Sequence, residues 1–160
     1  IHILNYLKTN TMKKLLLVLL LVPMVSFGQN IEYINSKEHK RSGMPFSQAT
    51  IVNGIIYLSG QIGEVNNVVV EGGIGPETKQ ALDNLKSILE DMEHSVEDIF
   101  KCTCMLSNIN DWPEMSKAYV EFFNRENLPA RSAFAGSGLA LGAKVEIECL
   151  ALFKGMKINK

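Results

Sequence analysis

The sequence predicts an α+β domain: a mixed β-sheet with two helices packed on one of its faces. Three observations predict it. Short apolar runs with period-two alternation stand at both ends of the chain and once in its middle. Two longer segments, 76–92 and 111–123, repeat apolar residues at helical spacing. The order is then three strands, helix, strand, helix, two strands. Strand–helix–strand crossovers require some parallel pairing, and hairpins require antiparallel pairing.

Taken in order, residues 31–35 read as a first short strand and 36–42 as a polar, charged connection. Residues 46–52 and 55–62 form two strands around Asn53-Gly54, a hairpin turn that needs positive φ at both positions. Gly60, near the end of the second of these, marks a bend or a close backbone approach. Residues 63–75 read as a loop whose glycines lack the pattern of a phosphate-binding loop. Pro76 opens the first helix, where its missing N–H costs nothing. Ala81, Leu82, Leu85, Ile88, Leu89 and Met92 form its apolar face. His94 follows at the helix end and reads as a surface residue, since no Cys or His stands at metal-ligand spacing from it.

Residues 99–107 form the next strand, with Phe100, Cys102, Cys104 and Leu106 expected on one face. Cys-Thr-Cys is neither a zinc nor a redox spacing. Asp111 and Glu114 suit the cap and first turn of a second helix with Pro113 between them, and Met115, Tyr119, Phe122 and Phe123 give its core stripe. In the last two strands Arg131, Ala133 and Ala135 share a face. Val145, Ile147 and Cys149 share a face in the second, opposite Glu146 and Glu148. With both helices on one side, the other sheet face, assigned Arg131 and Glu146, has no cover in one subunit. An Arg and a carboxylate brought into one cleft can bind an anion and move a proton; on a solvated face they do nothing more than face water.

The 160 residues suffice for one domain, and a hydrophobic content of 46% supports a core. Met12-Lys13-Lys14, then the 11 apolar residues Leu15–Val25, broken only by Pro23, then Ser26-Phe27-Gly28, read as a secretory signal peptide cleaved after Gly28. Residues Ile1–Thr11 carry no Met and read as translated upstream sequence. The expected organisation is thus residues 1–28 removed and 29–160 a single domain, periplasmic or secreted, without a membrane partner after processing. The remaining 13 basic and 17 acidic residues give a net charge of −4, which argues against nucleic-acid binding. Export permits disulfides, and Cys149 could pair with Cys102 or Cys104 only from an adjacent strand; three buried thiols are the expectation.

Pro129-Ala130-Arg131-Ser132, followed fifteen residues after the Arg by Glu146 in KVEIECLAL, resembles the C-terminal signature of the reactive intermediate deaminase (RidA/YjgF) family. PFSQATIVNGIIYLSGQIG, from Pro45, resembles the family's N-terminal signature, and residues 80–123 match its helix, strand and second helix in order. The resemblance spans about residues 31–153. It implies a chorismate-mutase-like α+β fold, a mixed six-stranded sheet assembled as a homotrimer, with pockets between neighbouring subunits. It also implies hydrolysis of 2-imino acids or their enamine tautomers to 2-oxo acids and ammonia, with no metal or organic cofactor. Arg131 would hold the substrate carboxylate and Glu146 would activate water. Phe46, Ser59, Gly60, Ala133 and Ser116 would line the pocket. Phe46, Ala133 and Ser116 stand where the family carries Tyr, Cys and Asn. A non-catalytic trimeric binder of small carboxylates, using Arg131 alone, is the alternative, and a ribonuclease is third.

Overall fold

A computed structural model of the chain describes residues 30–155. The signal-peptide reading and its cleavage at Gly28 lie outside the described residues. Among the described residues eight strands, β1 (Glu32–Ile34), β2 (Ala49–Val52), β3 (Ile55–Ile62), β4 (Glu64–Val65), β5 (Val68–Val69), β6 (Ile99–Leu106), β7 (Ala130–Ala135) and β8 (Val145–Leu152), accompany three α-helices, α1 (Lys37–Ser42), α2 (Ile74–Asp91) and α3 (Trp112–Phe122). The main sheet is six-stranded and mixed, in the order β1-β2-β3-β8-β6-β7. All its pairings are antiparallel except β6 with β7, which α3 connects by a crossover. β8, last in sequence, enters between β3 and β6 and so becomes central.

Both long helices cover one face. Ala81, Leu82, Leu85 and Leu89 of α2 and Met115 and Tyr119 of α3 are buried against Ile56, Leu58, Cys102, Cys104, Leu106, Val145, Ile147 and Cys149. Alternation puts the intervening residues on the open face. There Tyr57, Phe134 and Leu152 stay exposed, in register with Leu150, Met105 and Ile55 respectively. Asn53 and Gly54 take φ of 52° and 77°, so the turn between β2 and β3 is the one the dipeptide demands.

Five details differ from the sequence reading. Residues 36–42 hold the short helix α1, begun by Ser36, whose hydroxyl accepts the His39 N–H. Residues 63–75 carry a second small hairpin, β4–β5, turning at Asn66 and Asn67, both with positive φ. A register shift between Ile99 and Lys101 turns Phe100 outward and buries Ile99 in its place. His94 is buried, not superficial: Nδ1–H donates to Met92 O at 2.7 Å, Nε2 accepts the Lys154 N–H at 3.1 Å, and the ring stacks on Phe153. The Asp111 side chain makes no cap; Asn108 caps the preceding 3₁₀ turn by accepting the Asn110 N–H.

The cysteines also differ. Their common side of the sheet is as expected, since all three lie in the helix-covered core. Cys102 and Cys149 face each other directly on β6 and β8 with Cα atoms 4.2 Å apart, and they are joined as a disulfide; Cys104 alone is a free thiol.

Candidate functional site

The structure places the predicted site residues in two groups, one on each face of the sheet. Pairing register is the cause. Arg131 stands beside Cys102 on β6, and Cys102 opposite Cys149 on β8, so Arg131 shares the helix-covered side with them. Glu146 stands opposite Met105 and Ile62 and shares the open side. The expectation that one open face carries both is therefore corrected: a strand's own alternation tells which residues share a face, but its neighbours decide which face that is.

Around Arg131, the edge strand β7 meets the first turns of α3. Arg131 Nη2 donates to Ser116 Oγ at 3.1 Å, and Nη1 lies 3.9 Å from Met115 Sδ. Its guanidinium carbon is 4.9 Å from the Tyr119 ring centroid and 5.4 Å from that of Trp112. Cation–π contact and one hydrogen bond thus hold a planar cation at the end of α3 without an acidic partner among the described residues. Ser116, where the resemblance expects Asn, still offers Arg131 an acceptor. Ala133 lies two residues along β7 on the same side, against the core. Burial pushes the neighbouring Cys104 thiol up to about 11, with Arg131 and Lys101 opposing it, so this sulfur stays protonated and unreactive. Burial likewise raises Tyr119, whose hydroxyl has no hydrogen-bond partner in the structure.

On the open side, Phe46, Gly60 and Glu146 line one cleft of about 450 Å³ together with His39, Met44, Gln48, Ile62 and Leu141. Its floor is irregular because the β3–β8 register shifts between Leu58 and Gln61. Gly60 sits in that shift, and the Glu146 carboxylate fills the space where any other residue would carry Cβ. Ser59 does not line the cleft. Its N–H donates to Gln48 O at 3.0 Å and its hydroxyl to Ser47 O at 2.7 Å, so it ties β3 to the Phe46–Gln48 segment instead.

Two residues escaped the sequence reading. Trp112 stands four and seven residues before Ser116 and Tyr119, a helical spacing that puts all three on the side of α3 that meets Arg131. His39 reaches the cleft only because residues 37–42 are helical. No group of three His, Cys, Asp or Glu is arranged to hold a metal ion among the described residues.

Residues 38–153 match the family model described as Endoribonuclease L-PSP. The chain is 38% identical over 110 residues to the human protein named 2-iminobutanoate/2-iminopropanoate deaminase, covering 68% of this chain and 80% of that one. Among solved structures it resembles YyfA of Yersinia pestis, described as a protein of unknown function of the conserved Rid family (TM-score 0.69, 34% identity, 77% and 99% of the two chains). It also resembles E. coli TdcF with bound serine (TM-score 0.62, 27% identity, 68% and 88% of the two chains). With the matching fold and both signatures in place, the chain belongs to the endoribonuclease L-PSP family, the family of the RidA and YjgF proteins.

Proposed function

We propose that this protein hydrolyses 2-imino acids, or their enamine tautomers, to 2-oxo acids and ammonia, at sites completed between subunits of a homotrimer. The observation that carries this reading is the pair of preformed half-sites. Arg131 is held against Trp112 and Tyr119 with no carboxylate of its own, and Glu146 is held against Gly60 in an open cleft. Because they occupy opposite faces of one sheet, a second subunit must bring an Arg131 to a Glu146. The unpartnered apolar residues Tyr57, Phe134 and Leu152 offer that contact surface. The deaminase name of the human relative and the serine bound to TdcF support a small amino- or imino-acid ligand.

In this mechanism Arg131 forks onto the substrate carboxylate. Glu146 takes a proton from water as its oxygen bonds to the imine carbon, and the C=N π pair moves to nitrogen. Glu146 returns that proton to nitrogen, and the carbinolamine then passes its hydroxyl proton through Glu146 to nitrogen as C=O forms, the C–N bond breaks and ammonia leaves. An imine carbon is already electrophilic, so no cofactor enters. We further propose export with cleavage after Gly28, on the pattern of Met12–Gly28. An intact mass retaining Met12–Gly28 in the exported protein defeats that part.

The test generates an imino acid in situ and measures ammonia release with and without the purified protein, its trimer verified by light scattering. Glu146→Gln should lower turnover by roughly a hundredfold while leaving carboxylate binding nearly intact. Arg131→Lys should weaken binding by about ten- to a hundredfold. Ammonia release unaffected by the protein, with 2-oxo acid binding intact, points instead to a non-catalytic carboxylate binder.

A further inference from the structure

We propose that His39 is a positioning residue of the Glu146 cleft: it fixes the ring of Phe46 as an apolar wall and so favours substrates with apolar side chains larger than methyl. Phe46 has no hydroxyl, so nothing polar on its own side chain can hold the ring in place. It also precedes β2, outside any strand, and is half exposed. Its carbonyl accepts the His39 Nε2–H at 2.7 Å, and the two rings lie 5.5 Å apart at 58°. The hydrogen bond fixes the backbone of Phe46, and the ring contact the face its ring presents.

His39 is itself well placed to act as a fixed post. Its N–H is capped by Ser36 Oγ at 3.0 Å and its carbonyl accepts the Ser42 hydroxyl at 2.7 Å. Beyond Phe46 the same segment is fastened again: Ser36 N–H donates to Gln48 Oε1 at 2.7 Å and Gln48 N–H to Asn35 Oδ1 at 3.0 Å. The start of α1 therefore fastens the chain just beyond Phe46, and His39 is the grip at Phe46 itself. Met44, Ile62 and Leu141 continue the apolar wall in the cleft that ends at the Glu146 carboxylate. A side chain larger than methyl has apolar surface to bury there, while the imine carbon stays at Glu146.

The inference rests on the deaminase reading, and the experiment separates the two. The imines derived from alanine and leucine are compared as substrates, and pyruvate and 4-methyl-2-oxopentanoate as ligands by calorimetry. The unmodified protein should favour the leucine-derived member of each pair. His39→Ala should lower that preference about three- to tenfold, through KM and Kd more than through kcat, as expected for loss of one hydrogen bond. His39→Gln, whose amide can still donate to the Phe46 carbonyl, should recover most of it. In a Phe46→Ala background His39→Ala should change the preference no further, because His39 acts through that ring. An unchanged preference in His39→Ala, a loss that His39→Gln does not recover, or an additive loss in the Phe46→Ala background overturns the proposal. No turnover, but a Kd preference that follows these variants as stated, overturns the deaminase reading and leaves the role of His39 standing. Turnover of neither imine together with binding of neither 2-oxo acid overturns both.

Discussion

Gly60 and Glu146 occupy space that only a glycine at the first position allows: a Cβ built on Gly60 would stand 2.9 Å from Glu146 Cδ and closer still to its carboxylate oxygen. The obstacle is the far end of a flexible side chain, so Gly60→Ala should leave the fold intact and displace the carboxylate. Ammonia release should fall at least tenfold, in line with the sensitivity of positioned groups to misplacement, while the melting temperature changes little. Gly63 makes the contrast. Its Cβ would stand 2.7 Å from the backbone carbonyl carbon of Glu77 in α2, which cannot swing away. Gly63→Ala should cost about 1–3 kcal/mol of stability, measured by denaturant unfolding. Equal stability losses in the two variants would count against this assignment.

Trp112 is the one tryptophan of the chain, and its ring lies 5.4 Å from the Arg131 guanidinium. Intrinsic fluorescence therefore reports on Arg131 without a label. A 2-oxo acid engaging Arg131 should shift or quench the emission saturably, and the midpoint should rise about ten- to a hundredfold in Arg131→Lys, which keeps the charge but loses the planar fork. Emission that titrates identically in both proteins places the ligand elsewhere.

What the sequence made legible follows its local physics. Asn53-Gly54 dictates its turn, the apolar spacing of Ala81–Leu89 dictates the buried face of α2, and alternation correctly groups Arg131 with Ala133 and Glu146 with Glu148. What stayed hidden depends on partners distant in sequence. The side on which Arg131 lies is set by its register with Cys102, and the outward turn of Phe100 by a bulge against β8. His94 is drawn inward by the Lys154 N–H and the Phe153 ring, both far along the chain, in addition to the nearby Met92 O. The cleft escaped for the same reason: α1 is too short for periodicity to reveal, and its capping by Ser36 is what brings His39 to Phe46.

Asp98 supplies a pH dependence of stability. Burial opposes its ionisation, but pairing with Lys154 and a hydrogen bond from the Ser95 N–H outweigh burial and hold the carboxyl below its ordinary value of 3.8. A carboxyl whose folded value is depressed stabilises the fold above its unfolded pKa and loses that contribution as pH falls through the folded value. Asp98→Asn should therefore cost about 1–2 kcal/mol near neutrality, the modest end for a charged hydrogen bond because Lys154 is exposed and screened. The unfolding free energies of the two proteins should converge below about pH 4. A difference that stays constant from pH 7 to pH 3 rules out ionisation of Asp98 as its source.

The cysteines give the sharpest test of the sheet itself. Cys102 and Cys149 are joined across the neighbouring strands β6 and β8, closing a sequence separation of 47 residues, while Cys104 points into the same core as a thiol raised to about 11 by burial. Under denaturing, non-reducing conditions one free thiol should titrate; in the native protein none should react at pH 7, because Cys104 is both enclosed and protonated. Cys104→Ala should abolish the denatured signal. Replacing Cys102 and Cys149 together by Ala should destabilise by about 2–4 kcal/mol through the released loop entropy, and prior reduction should remove most of the difference between that variant and the unmodified protein. Three titrating thiols in denaturant without reductant would mean that the two strands meet in this register with the sulfurs left unbonded. The double replacement should then cost no more than the packing of two small buried side chains, about 1–2 kcal/mol, whether or not reductant is present.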